Sequence, residues 1–275
     1  MTTAPKANKA EILKALAYLF DPADVVELRV IHRGSRKRTD AGYFDSVHWP
    51  ALADAAVSLN NQGSAVYVTL NPVDPQLLSR YHNRIEQYAT STTTDSQIIR
   101  RRWLPIDVDP QRPAGTSSTQ KQLELAAIKA NEIRKFLLTQ GWPACAAANS
   151  GNGMHLLYAV DLPNDEASKK LIEGVLKALA SRFDDEAVKV DRGVFNAARI
   201  WKLYGTVANK GDHTDAAPWR VANIADQFMP PRVPVTLDQL RALAPVFTAE
   251  PVHTPRGLDF SQFYRGKPFE LEEFM

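Results

Sequence analysis

RRRWLPIDVDPQRPAG, residues 100–115, runs from three arginines through a short apolar stretch into two aspartates, Asp107 and Asp109, with one valine between them. Side chains alternate across a strand, so the two carboxylates share one face while Ile106 and Val108 share the other. Two carboxylates held that close repel, and one is driven to protonate unless something positive lies between them. The neighbouring arginines would make this a structural ion-pair cluster. A bound divalent cation would make it a site.

The strand is followed by the loop RPAGTSST and by KQLELAAIKANEIRKFLLTQ, which has helical spacing, with Ser117 and Gln120 placed as a capping box and Gly141 at the exit. ACAAANS, the turn SGNG and MHLLYAVDLP then predict a β-hairpin. NDEASKKLIEGVLKALASRF predicts a helix started by Asn164 or Asp165, and AVKVD a short strand. The order from 103 to 190 is therefore β-α-β-β-α-β.

Upstream, residues 7–20 predict a helix stopped at Asp21-Pro22, DVVELRVIH a strand, HRGSRKRTDAG a basic turn, residues 46–63 a helix closed by Gly63, and residues 65–71 a strand ended by Pro72. Residues 75–99 are polar and predict a helix followed by a mobile loop. Beyond 208 the texture is loop and short strand, with a helix near TLDQLRALA and then a linker beginning a new helix, as though the chain were part of something longer.

With 44% hydrophobic and 23% charged residues, the composition is that of a globular protein. A net charge of +2 does not announce a nucleic-acid partner, but its distribution is uneven. Arg29, His32, Arg33, Arg36, Lys37 and Arg38 form one basic cluster and Arg100, Arg101 and Arg102 another. The single cysteine, Cys145, excludes an internal disulfide and a multi-cysteine zinc knuckle, so no zinc is expected and a reducing cytoplasm fits. No apolar run approaches the ~18 residues of a membrane span, so no membrane partner is expected.

Three further stretches bear on the aspartate pair. In SGNGMH, residues 150–155, glycines permit a tight turn and His155 follows on the outgoing strand. Asp191 ends the VKVD strand and supplies a third carboxylate. In FNAARIWKLYGT, Asn196, Arg199 and Lys202 recur every third residue, which on a helical turn would line one face able to hold phosphates. Jointly these are the parts for nucleotidyl transfer. Metals bound by Asp107, Asp109 and Asp191 would activate a 3′-hydroxyl, and His155, Arg199 and Lys202 would hold a phosphate tail.

DVD, SGNGMH, and VD followed by NAARIWKLYGT together resemble the three ordered motifs of the archaeo-eukaryotic primase superfamily, most of all the primase-polymerases of plasmid, phage and other mobile-element replication. The likeness extends through VVELRVI, YVTLNPV and LPNDEAS, over residues 20–225. It implies an α/β (α+β) fold in which an N-terminal α/β unit, residues 1–100, packs on a module resembling an RNA-recognition motif, residues 101–225, whose antiparallel sheet carries the site. Residues 226–275 would be a C-terminal helix and linker. The resemblance assigns Asp107, Asp109 and Asp191 as catalytic ligands of two Mg²⁺ or Mn²⁺ ions with substrate bound. It assigns Ser150, His155, Asn196, Arg199 and Lys202 to the nucleotide, and leaves Tyr204 as a candidate to approach the sugar.

Arg36, Lys37, Arg38, Arg100, Arg101 and Arg102 are the expected contacts to nucleic acid. The implied partners are single-stranded DNA template and primer, nucleoside triphosphates, and a replicative helicase encoded in the same longer chain or nearby. A two-metal nuclease, and a replication-initiation or nucleic-acid-binding module of the same fold with little or no turnover, are the alternatives. A relaxase is disfavoured because there is no His-x-His pair.

Overall fold

The alternation in residues 101–110 becomes an interior strand of the larger of two main sheets. The computed structural model describes residues 3–33 and 38–244. In chain order the elements are α1 (Lys9–Leu19), β1 (Val26–His32), β2 (Arg38–Phe44), α2 (Trp49–Asn61), β3 (Ala65–Thr69), α3 (Leu78–Tyr81), β4 (Arg101–Pro110), α4 (Gln120–Thr139), β5 (Ala146–Asn149), β6 (Met154–Leu162), α5 (Glu166–Phe183), β7 (Val188–Val190), β8 (Ile200–Lys202), β9 (Val207–Ala208), β10 (Arg220–Val221), β11 (Asn223–Ile224) and α6 (Leu237–Leu243). No helix among the described residues is long and apolar enough to cross a membrane.

The larger sheet has the order β11-β5-β6-β4-β7, and its strand pairs are antiparallel. Residues 101–190 therefore form the expected β-α-β-β-α-β module, with α4 packed on β4 and β6 and α5 on β7. Ile106, Val108, Leu156 and Val190 are buried on the sheet. The other face is closed at one end by α1, where Trp103 Nε1 donates to the carbonyl of Leu19 and the Trp103 ring meets that of Tyr18. At its far end that face carries Asp107 and Asp109.

The second sheet has the order β2-β1-β3-β8, with α2 against β1 and β3. β8 comes from residues 200–202 yet pairs with β3, through Tyr67 opposite Lys202. The chain thus returns from the larger sheet to the second one, and one apolar core joins residues from both.

Four local expectations are corrected. RTDAGYF is not a turn: it pairs residue for residue with β1, because buried Asp40 is neutralised by Arg38 and bonded to His32 on the facing strand. The capping box of α4 is Thr119 with Gln122, two residues past the expected pair, and the Ser117 hydroxyl instead donates to the carbonyl of Lys210. The expected mobile loop within 75–99 is tied down by backbone bonds between Ala41 and Glu86, from Ala89 to Thr39 and from Ile99 to Pro72. Residues 191–199 are turns rather than helix, so Asn196, Arg199 and Lys202 do not share a face. The segment from 245 onward, including the expected linker, lies outside the described residues, as do Arg36 and Lys37.

Candidate active site

β4 lies between β6 and β7, and the register sets Asp107 opposite His155 on one side. On the other side Val108 faces Val190, and the next step brings Asp191 level with Asp107, its N–H donating to the Asp107 carbonyl at 2.9 Å. Directly opposed residues on a sheet project to the same face. His155, Asp107 and Asp191 therefore form a row across three strands, with Asp109 two residues along β4.

Asp107 is the most strained member. Burial, followed by the charges of Asp109 and Asp191, pushes its carboxyl well above the usual carboxylate range, and Arg112 and Arg199 offset this in part. Its Oδ1 is buried with no hydrogen-bond partner, although His155 Nε2 stands 3.5 Å away. The other two carboxylates are engaged: Asp109 Oδ2 accepts from Arg112 at 3.4 Å, and Asp191 Oδ1 accepts the N–H of Gly193 at 2.7 Å. Among the described residues no group of three or more His, Cys, Asp or Glu side chains is placed to hold a metal ion. The orphaned Asp107 oxygen beside two further carboxylates nevertheless fits a divalent cation, because a buried anion without a partner is costly.

The SGNG turn controls access to Asp109. Gly151 has φ +94°, and the Ser150 Oγ accepts the N–H of Gly153 at 2.9 Å. A Cβ on Gly153 would stand 2.4 Å from Asp109 Oδ1 and 2.6 Å from the Val108 carbonyl. Gly153→Ala is accordingly expected to displace Asp109, lowering both the melting temperature and any activity that depends on that carboxylate. A melt and an activity indistinguishable from wild type would show that the turn can yield.

Asp107 and Asp109 open onto a cavity of about 330 Å³ between the two sheets, whose basic side chains are Arg33, Arg112, Lys202 and Lys210. Ser150 and Asn152 line it from the turn, and Ile31, Ala65 and Tyr67 from the second sheet. Lys202 reaches it from β8, with Nζ donating to the Val207 carbonyl at 2.9 Å. Burial, assisted by the charge of Arg33, pushes its amine down to about 7. His155 sits immediately behind Asp107, almost fully buried, and burial together with Lys202 pushes its imidazole down to about 3.

The remaining expected residues are dispersed. Arg199 lies beside Asp191, bonded to the Gly193 carbonyl. Asn196 stands 3.4 Å from Asp95 Oδ1, on neither the cavity nor the carboxylate row. Tyr204 is 1% exposed, its hydroxyl enclosed by His155 and Trp201, which removes it from any sugar. Of the second arginine cluster, Arg100 pairs with Asp161 and Arg102 with Asp21 and Asp24. Arg101 is buried and donates to the Phe195 carbonyl, so it is withdrawn from the nucleic-acid set. Arg38 holds Asp40 and lies 4.1 Å from the centre of the Tyr88 ring.

Arg112 was not anticipated, although it lies in the opening stretch. The turn after Pro110 folds it back on Asp109, and Arg112 is held by the carbonyls of Pro110 and Thr116. Lys210 and Tyr67 are brought in by the tertiary fold alone.

No protein-family model matches the chain, and no curated protein matches it. Among solved structures it is similar to a crystal structure of primase RepB′, at 14% identity and a TM-score of 0.48, covering 86% of this chain. It is also similar to the catalytic domain of primase RepB′ in complex with initiator DNA, at 14% identity and a TM-score of 0.44, covering 85% of this chain and 93% of that one. The chain spans 61% of the length of the first of these structures.

Proposed function

We propose that this protein is a template-directed primase-polymerase, a nucleotidyltransferase that adds nucleoside triphosphates to a primer on single-stranded DNA. The observation that carries the proposal is the meeting of the carboxylate row, with its orphaned Asp107 oxygen, and a cavity lined by four basic side chains. Asp107, Asp109 and Asp191 would hold Mg²⁺ or Mn²⁺. Bound there, such ions neutralise phosphate charge and promote ionisation of a 3′-hydroxyl.

The chain's own groups complete the binding chemistry. Lys202, Arg33 and Lys210 supply positive charge along the cavity for a polyphosphate. The Ser150 oxygen accepts from the N–H groups of Asn152 and Gly153, so its hydroxyl proton is left to donate toward the same tail. A basic cavity of this volume, lined by four cationic side chains, suits a triphosphate better than the single scissile phosphate of a nuclease.

Incubating the protein with a primed template, Mn²⁺ or Mg²⁺ and nucleoside triphosphates, and resolving the products on a denaturing gel, tests the proposal. Extension by template-matched nucleotides is expected. Shortened primers would favour a nuclease, and an unchanged primer with retained DNA binding would favour a binding module.

The strand itself is assigned to the first basic cluster. Arg36→Ala with Lys37→Ala is expected to lower the slope of log K against log salt by about 1.4, at about 0.7 for each single-strand phosphate no longer neutralised. Arg38 is left intact because it neutralises buried Asp40. An unchanged slope would remove the cluster from DNA binding.

A further inference from the structure

The Tyr204 hydroxyl accepts from Trp201 Nε1 at 2.8 Å and lies 2.9 Å from His155 Nδ1. An indole N–H can only donate, so the phenol oxygen is the acceptor in the first contact. Its own proton still needs a partner, and His155 Nδ1 is the one at hand. Were Nδ1 protonated instead, two donors would converge on the phenol and its O–H would be buried with nothing to receive it. With Nδ1 accepting, the proton of the imidazole resides on Nε2.

The opposite side of the ring is compatible with that choice. Nε2 stands 3.5 Å from Asp107 Oδ1, which has no hydrogen-bond partner, so this side accommodates an N–H without fixing the tautomer by itself. The ring plane is held as well, with the Trp201 ring centre 4.0 Å from that of His155. Trp201 lies on β8 and Tyr204 just beyond its end, so the edge strand of the four-stranded sheet also carries this support.

We infer that Trp201 and Tyr204 are positioning residues that lock His155 in the tautomer with its proton on Nε2, so that the ring presents a donor to the carboxylate end of the cavity. In the free protein that N–H faces Asp107. On the primase-polymerase reading, which this part of the inference rests on, the same N–H is the group that meets a phosphate oxygen of the nucleotide.

The test is nitrogen-15 NMR of the histidine rings in the full chain, using long-range proton–nitrogen correlations, with His155 identified among the six histidines by its loss in His155→Gln. The wild type is expected to show Nε2 protonated and Nδ1 bare. Tyr204→Phe removes the donor to Nδ1 and is expected to give a mixture of tautomers, and Trp201→Phe, which frees the phenol to accept, to shift the ring the same way. A protonated Nδ1 in the wild type, or an unchanged tautomer in a folded Tyr204→Phe protein, overturns the lock. If Tyr204→Phe does not fold, the wild-type spectrum and Trp201→Phe still decide.

Titration with a labelled nucleoside triphosphate separates the lock from the functional reading. Tyr204→Phe is expected to bind about three- to tenfold more weakly, the order of a single hydrogen bond, with primer–template affinity unchanged. A tautomer shift with unaltered nucleotide affinity upholds the lock and overturns the contact of His155 with the nucleotide.

Discussion

Asp107→Asn is expected to end nucleotide incorporation and at the same time to make the protein more stable. The loss follows if this carboxylate holds a catalytic cation, whose charge stabilisation is worth several kcal/mol. About 4 kcal/mol corresponds to roughly a thousandfold in rate. The gain follows from burial: the Asp107 carboxyl is held well above its ordinary value, so ionising it opposes folding. That penalty is absent below the unfolded value near 3.8, grows as pH rises toward the folded value, and is complete above it. Asparagine keeps the shape without the charge, so the variant should melt about 2–4 °C higher at neutral pH for each kcal/mol relieved. The two melting curves should converge in acid. Mn²⁺ should raise the melting temperature of the wild type and leave that of Asp107→Asn unmoved, a readout independent of turnover. A variant that still extends primers, or that melts below the wild type at neutral pH, would sink the assignment of Asp107.

The residues that the sequence placed well are those governed by local rules. Alternation put Asp107 and Asp109 on one face of β4, and the glycines of SGNG set the hairpin that delivers His155 opposite Asp107. Asp191 became level with Asp107 because a β-α-β-β-α-β chain lays its last strand beside its first. What stayed hidden depends on partners distant in sequence. RRR reads as exposed charge, yet Arg102 answers Asp21 and Asp24, and Arg101 answers the carbonyl of Phe195. The spacing of Asn196, Arg199 and Lys202 fits a helix. The glycine and aspartate turn at 191–193 breaks that spacing, and Lys202 is taken up by the edge of another sheet. RTDAGYF has too many polar residues to announce a strand until Asp40 is seen between Arg38 and His32.

Lys202→Met is expected to weaken nucleoside triphosphate binding about ten- to a hundredfold, the order of one charge-assisted hydrogen bond to phosphate. The pH dependence distinguishes a phosphate ligand from a structural lysine. Burial, with help from Arg33, holds the Lys202 amine down to about 7 in the free protein. Above that value the amine is mostly neutral, and a phosphate can recruit it only by taking up a proton, so wild-type affinity should fall as pH rises from 7.5 to 9 by up to about tenfold per unit. Phosphate's own second ionisation, near ~6, lies below this window. Lys202→Met has no proton to gain there, and its weaker affinity should be flat. Stability runs the other way. The folded chain disfavours the ammonium, so the wild type gains stability as pH climbs from about 7 toward the unfolded value of 10.5. Methionine removes the penalty at and below neutrality, and the variant should melt higher there, with the gap closing toward alkaline pH. Wild-type affinity that does not change across the window, or a methionine variant that binds as tightly as the wild type, would leave Lys202 as the partner of the Val207 carbonyl and no more.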